Sequence, residues 1–413
     1  MYSIVKFTKY FFYLILILFI GYFIYFINTQ DPYKKRLRKD LKEIIKNGSI
    51  VKHLYNDYRE LFLPETQFIN LSFKEIELNF LNLNQCYFGK CHTFFLDQYK
   101  DELIIADRNT EIRSIKFNDI LNDKLNFKNF NTNLDLDYIL DIEINKNKIY
   151  VSGKKKIDKK TYIEILKGEI IDNKINFESI IKLSSDKCFL RDSVHSGKIE
   201  FFENNENKIL VSINGSGSID NGTIDTLKSD NICGKILLIE PSSKSYEIFS
   251  YGHRNIIGLY SDGKVVLATE HGPNAGDEVN KIEKGKKYGW PVSSYGEKYS
   301  RNKNDLEPNY KKSHKSNGFV EPIFSFIPAI GISEIIKLPN SFSKIWQDNF
   351  LIASLNGKYL YRVKFDDEFS KLIYYEPIYI GDRIRDLTYH KNTESIFLAL
   401  ELEGSIGIIK RNN

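Results

Sequence analysis

Beyond residue 100 the sequence is punctuated by short apolar runs: ELIIAD, KIYVSG, KILVSI, GKILLIE, GKVVLATE, NFLIASL, KYLYRV and SIFLAL. Each is too short for a helix that must bury a face, and polar turn residues such as Asp262-Gly263 bound them, so they read as antiparallel strands joined by tight turns. No long helical period recurs after residue 60. The 26 Tyr and 29 Phe, against a single Met, point the same way, because aromatic side chains favour the pleated sheet. The chain is expected to be all-β. A strand series over about 350 residues fits a pair of sandwiches, a barrel or a propeller, and six four-stranded blades of about sixty residues would fill it.

The N-terminal part differs. After a short flank (1–9), Tyr10 to Gln30 carries no charge over about the length that crosses a hydrocarbon core as a helix. An uncleaved anchor fits better than a cleaved signal peptide, because Asn28-Thr29-Gln30-Asp31-Pro32 follows in place of small residues. The linker 31–66 has Leu37, Leu41, Ile44 and Ile45 at helical spacing and reads as a short, partly helical stalk before a strand-rich domain at 67–413. Orientation stays open. Lys34, Lys35, Arg36, Arg38, Lys39 and Lys42 follow the apolar segment, which argues for a cytoplasmic C-terminal part. The close pair Cys86 and Cys91, bracketing a hairpin tip, instead suits a disulfide in an oxidising compartment. A zinc site using His92 lacks a second ligand pair, and the isolated Cys188 and Cys233 read as buried and inert. The formal charge of +5, from 59 basic and 54 acidic residues, is too balanced to imply a nucleic-acid surface.

Chemistry concentrates between Gly252 and Gly296. Gly252-His253-Arg254-Asn255 precedes a strand, and Glu270-His271-Gly272-Pro273-Asn274-Ala275-Gly276-Asp277-Glu278 follows it. Loops held by a rigid sheet are where sites sit, and this one offers the oxygen ligands a hard cation such as Ca²⁺ prefers. Taken alone it reads rather as an acidic, solvated turn, since no fixed calcium-loop spacing is present.

In wording and order, GHRN, EHGPNAGDEVN and KGKKYGWPVSSYG resemble the PQQ-dependent sugar dehydrogenases, the soluble glucose dehydrogenases and aldose sugar dehydrogenases. His195-Ser196-Gly197-Lys198, Cys233-Gly234-Lys235-Ile236 and Gly381-Asp382-Arg383-Ile384-Arg385-Asp386 extend the likeness. The resemblance implies a six-bladed β-propeller that binds pyrroloquinoline quinone (PQQ) and Ca²⁺ and oxidises a sugar C1 hydroxyl, passing electrons to a quinone or cytochrome. Such enzymes work in the periplasm, which would make this one a single-pass membrane protein with a periplasmic propeller. It also implies roles for particular residues. His195 would take the hydroxyl proton, as a near-neutral imidazole can. Arg254 would stabilise charge on the quinone oxygen, and Asn255 would contact the cofactor. Gly272 and Pro273 would bind Ca²⁺ through their carbonyls, with Asp277 and Glu278 as nearby oxygen donors. Arg383 and Arg385 would meet the cofactor's carboxylates, since a two-residue strand spacing puts both guanidinium groups on one face.

The chain departs from the family at several of these contacts. Ile256 and Ile257 replace a Pro-Gln pair, Asn214-Gly215 replaces a Gly-Asp, Asn356 stands where a lysine contacts the quinone, and Ala329 replaces a threonine. A glutamine-bearing segment is not recognisable around Leu136 to Asp141. Without the family context His195 would be an ordinary loop histidine, and Arg383 and Arg385 an edge-strand charge pair. A noncatalytic propeller that binds carbohydrate or protein is the competing reading.

Overall fold

The second strand of every blade explains the architecture, because each is apolar on both faces and must be covered on both. In the computed structural model, which describes residues 66, 69–86, 89–184, 188, 196–215, 225–298 and 310–411, these strands lie within six successive sheets. Before them come β1 (Leu71–Glu77) and the small hairpin β2 (Asn84–Cys86) and β3 (Gly89–Cys91). Blade 1 holds β4 (Phe94–Tyr99), β5 (Glu102–Asp107), β6 (Ile112–Lys116) and β7 (Lys128–Asn129). Blade 2 holds β8 (Asn131–Thr132), β9 (Tyr138–Asn145), β10 (Lys148–Ile157), β11 (Lys160–Ile171) and β12 (Lys174–Ser184). Blade 3 is β13 (Ile199–Phe201), β14 (Ile209–Ile213), β15 (Lys235–Glu240) and β16 (Ser245–Tyr251). Blade 4 is β17 (Ile256–Ser261), β18 (Val266–Glu270), β19 (Asp277–Lys281) and β20 (Phe324–Phe326). Blade 5 is β21 (Ile332–Lys337), β22 (Phe350–Ser354), β23 (Tyr359–Phe365) and β24 (Leu372–Tyr379). Blade 6 is β25 (Ile384–His390), β26 (Ser395–Leu400) and β27 (Ser405–Arg411).

The sixth blade is completed by β1, which pairs antiparallel with β27 from Leu71↔Arg411 to Glu77↔Ser405. The two ends of the domain therefore close one sheet. The first strands β4, β9, β13, β17, β21 and β25 neighbour one another in order, and β25 returns to β4. This ring is a six-bladed propeller, the fold expected from the sequence. Apolar side chains fill each seam. Leu96 and Ile105 meet Phe397 and Ile408 between blades 6 and 1, and Ile104 and Ala106 meet Ile142 and Ile149 between blades 1 and 2. The seam between blades 5 and 6 packs Leu351, Ala353 and Trp346 on Leu387, Ile396 and Leu398. Dispersion and water exclusion thus act between blades as well as within them.

The expected membrane anchor at Tyr10–Gln30 and the stalk lie outside the described residues, and among the described residues no helix is long and apolar enough to cross a membrane. Cys188 and Cys233 correct the reading of isolated thiols: both are buried, and they are joined by a disulfide across Cα atoms 4.9 Å apart. They stand 45 residues apart in sequence, so no local signal pairs them. Cys91 is also disulfide-bonded, while the side chain of Cys86 lies outside the described residues.

The seam packing has a measurable consequence. Leu398, fully buried between blades 5 and 6, should lose about 2–5 kcal/mol of unfolding free energy on Leu398→Ala, whereas Ile373→Ala on the exposed face of β24 should change it by less than about 0.5 kcal/mol, both read by urea denaturation.

Candidate active site

Antiparallel register gathers the sequence-predicted residues of four blades at one end. The starts of β13, β17, β21 and β25 and the ends of β14, β18, β22 and β26 share one face. Arg254, Asn255 and Arg383 precede first strands, Glu270 ends a second strand, and Asn214, Asn356 and Glu401 follow second strands. His195 falls outside the described residues.

The Gly252–Asn255 turn is held by its neighbours' backbones. His253 N–H donates to Gly234 O at 3.1 Å, Gly215 N–H to Arg254 O at 2.8 Å, and His271 N–H to Asn255 O at 3.0 Å. Gly215 is needed there, because a Cβ would stand 2.2 Å from the His253 carbonyl oxygen. The Arg254 backbone N–H donates to a Glu270 carboxylate oxygen, and its Nη1 donates to His271 O at 3.0 Å. The guanidinium lies 5.3 Å over the Trp290 ring, and its Nε is buried without a hydrogen-bond partner. Asn255 is buried and accepts from Asn214 Nδ2 at 3.0 Å. Asn214 therefore orients a candidate site residue in its own right.

In the following loop Gly272 N–H donates to Asp277 Oδ1 at 3.0 Å, and Asp277 Oδ2 accepts from Ile332 N–H at 2.9 Å. Glu278, its neighbour on β19, points to the opposite face. There its Oε1 meets His314 Nε2 at 3.1 Å and its Oε2 accepts from Asn280 at 3.2 Å. Burial raises the Glu278 pKa, partly offset by His314. Both carboxylates proposed as metal donors thus serve protein partners on different faces. Among the described residues no group of three or more His, Cys, Asp or Glu side chains gathers to hold a metal ion. His271 is held neutral, with its pKa lowered to about 4, first by desolvation, with the nearby Arg254 and Arg385 guanidiniums adding to it against Asp277.

Arg383 and Arg385 do share a face, as their spacing predicts. Both turn Nε to one buried carboxylate, Glu401, at 3.2 and 2.6 Å, and Thr93 Oγ1 adds a 3.0 Å hydrogen bond. Arg385 Nη1 is buried without a hydrogen-bond partner. Glu401 follows β26, opposite Arg383 on the neighbouring strand, and no sequence motif marks it.

Below this face a cavity on the propeller axis is lined by Lys198, Glu334 and Arg385 with apolar Phe95, Leu140 and Ile257. Lys198 Nζ lies 2.8 Å from Asp141 and 3.6 Å from Asp386, and also pairs with Glu334. Burial would lower the Lys198 pKa, but these carboxylates outweigh it and hold the ammonium well above its ordinary range. Three acids share that one cation, and burial pushes Asp141 up to about 7. Asn356, which the resemblance aligns with a quinone-contacting lysine, is exposed. Sequence reasoning assigned no role to Lys198, although its position inside the HSGK motif was a signal.

A family model described as Glucose / Sorbosone dehydrogenase matches residues 92–408. Among curated proteins, the aldose sugar dehydrogenase YliI of Escherichia coli is 27% identical over 197 residues, which are 46% of this chain and 51% of that protein. The chain thus spans about half the length of that relative, and only 33% of a cyanobacterial one from Synechocystis. Among solved structures, the apo-form of a soluble aldose sugar dehydrogenase from Escherichia coli superposes with a TM-score of 0.68 at 18% identity, covering 83% of this chain and 100% of that one. The PQQ-bound aldose sugar dehydrogenase of Streptomyces coelicolor gives 0.56 at 16% identity over 85% of this chain and 100% of that one. At these identities the structures share the fold.

The Glu401 bridge predicts an acid dependence. Burial alone would raise its pKa, but Arg385 and Arg383, with hydrogen bonds from Arg385 and Thr93, hold it below its ordinary 4.5. A depressed carboxyl contributes stability that is fully present above pH 4.5 and lost as pH falls through the folded value. Glu401→Gln should remove that acid-side loss and cost about 3–5 kcal/mol at neutral pH, because two guanidiniums keep their burial without their counter-charge; denaturation at pH 7 and pH 3 checks both.

Proposed function

Because this chain belongs to the glucose/sorbosone dehydrogenase family, we propose that it is a membrane-anchored quinoprotein oxidoreductase that oxidises the C1 hydroxyl of an aldose or related alcohol with PQQ and Ca²⁺. The observation that carries this reading is a pair of buried donor atoms without partners on one face, Arg254 Nε and Arg385 Nη1. Orphaned donors of this kind cost free energy unless a ligand supplies acceptors, and PQQ is rich in carbonyl and carboxylate oxygens. The residues present therefore fit it.

When bound, PQQ supplies a two-electron acceptor for the hydride of the alcohol. Arg254, fixed through its backbone and by His271 O, would donate Nε to a carbonyl oxygen. Arg383 and Arg385 would meet carboxylates, their Nε edges already turned to Glu401. Asn255 presents its amide in the orientation set by Asn214. His195, by family likeness, takes the hydroxyl proton. Asp277 and Glu278 are engaged elsewhere, so the calcium part of the reading rests on the carbonyls of Gly272 and Pro273. Electrons would pass to a quinone or cytochrome.

The uncharged segment Tyr10–Gln30 supports the anchor, and the Cys188–Cys233 disulfide supports an oxidising, periplasmic location for the propeller. A noncatalytic propeller binding carbohydrate or protein is favoured by one observation: the exposed Asn356 and apolar Ile257 offer no charge to a quinone.

Protein incubated with PQQ and Ca²⁺ should show bleaching of the quinone spectrum when aldoses are added. No spectral change across a broad sugar panel, with no measurable PQQ binding, would sink the reading and leave the noncatalytic one. Arg385→Ala should weaken PQQ binding by about ten- to a hundredfold, measured by titration. A reporter fused at the C-terminus should be active on the periplasmic side; activity on the cytoplasmic side would overturn the location.

A further inference from the structure

Ser250, His253 and Glu270 form a chain of side chains that the reading above does not use. Ser250 Oγ lies 2.8 Å from His253 Nε2, and His253 Nδ1 lies 3.0 Å from Glu270 Oε2. An Nδ1–H that donates to the carboxylate leaves Nε2 as the acceptor for the Ser250 hydroxyl, so a single tautomer satisfies both contacts. All three residues are buried, and the imidazole stacks on Tyr288 with ring centres 4.7 Å apart. Serine, imidazole and carboxylate in this order resemble a nucleophilic triad, but no substrate can reach a hydroxyl so enclosed. The chain leads elsewhere. The second oxygen of Glu270 accepts the backbone N–H of Arg254, and the residue after Glu270 supplies the carbonyl that holds the Arg254 guanidinium at 3.0 Å.

Both oxygens of Glu270 are therefore committed, one to His253 and one to Arg254, which are adjacent residues of the same turn. Rotation of the carboxylate would break both contacts together. We propose that Glu270 and His253, braced by Ser250, are positioning residues that fix Arg254 in the site. Neither touches the ligand, and both act through the arginine. The inference rests on the quinoprotein reading for what Arg254 binds, and on the geometry of the turn for how Arg254 is held.

The test is a double-mutant cycle on the full-length protein, with PQQ plus Ca²⁺ as the probe. Glu270→Gln and His253→Asn should each weaken PQQ binding about tenfold, and each should change it less than about twofold when Arg254→Ala is already present. A merely structural role would instead lower affinity by the same factor in both backgrounds, and that result overturns the proposal. So does a Glu270→Gln or His253→Asn protein that binds PQQ as the parent does. If Glu270→Gln does not fold, His253→Asn and Ser250→Ala carry the same cycle. A second readout needs no cofactor: the Arg254 Nε–H resonance in ¹⁵N spectra should broaden or shift on His253→Asn, and an unchanged resonance counts against the proposal. If the parent binds no PQQ, the quinoprotein reading fails by itself and the resonance decides the positioning role.

Discussion

Each blade of this propeller is tied to the next by a side chain that grips backbone across the seam, and the ring depends on those ties. Asp97 of blade 1 accepts Ile144 N–H of blade 2 at 2.6 Å, and Asp141 accepts Ile199 N–H of blade 3 at 2.8 Å. Ser212 reaches Ile256 O of blade 4 at 3.4 Å, and Asp277 accepts Ile332 N–H of blade 5 at 2.9 Å. Ser333 donates to Ile384 O of blade 6 at 2.6 Å, and Asp386 closes the ring on Leu96 N–H at 2.8 Å. First strands lie side by side at the axis without forming one continuous ladder, so their backbone groups there need such partners. Apolar seams alone would tolerate sliding, whereas a directional bond to a named amide fixes how each blade is set against the next.

These ties explain the electrostatics of the centre. Carboxylates placed at the axis to hold amides are brought close to one another. Burial, with that mutual repulsion, pushes Asp97 up to about 7. Lys198 stands among Asp141, Glu334 and Asp386 and offsets part of the charge, so one ammonium links the first strands of blades 2, 5 and 6. It also forms a wall of the cavity beneath Arg385. The scaffold and the floor of the site are the same residues.

The site is a set of short turns over that ring. Arg254 and Asn255 come from the turn before β17, Gly272 and Pro273 from the turn after β18, and Arg383 and Arg385 from the start of β25. None is adjacent in sequence to the group that orients it. Glu270 reaches Arg254, Asn214 reaches Asn255, and Glu401 holds both arginines. Preorganisation of this kind keeps donors aimed before a ligand arrives, which is where electrostatic catalysis gets its strength.

The sequence by itself determined the second strand of every blade. β5, β10, β14, β18, β22 and β26 are all among the apolar runs, because a strand covered on both faces has no polar alternation to blur it. Motif wording likewise marked Arg254, Asn255, Arg383 and Arg385, and the two-residue spacing of the arginines was enough to put them on one face. The first strands were hidden, since FFLDQY, IEF and IRDLTYH each carry a charge toward the axis that breaks the apolar run. Tertiary structure alone decided what each carboxylate binds. Asp277 and Glu278 look alike in sequence, yet the pleat sends one to a neighbouring blade's amide and the other to His314. It alone paired Cys188 with Cys233 and brought Glu401 to the arginines, because those contacts join positions far apart in the chain through hairpin register and ring closure, which leave no local pattern.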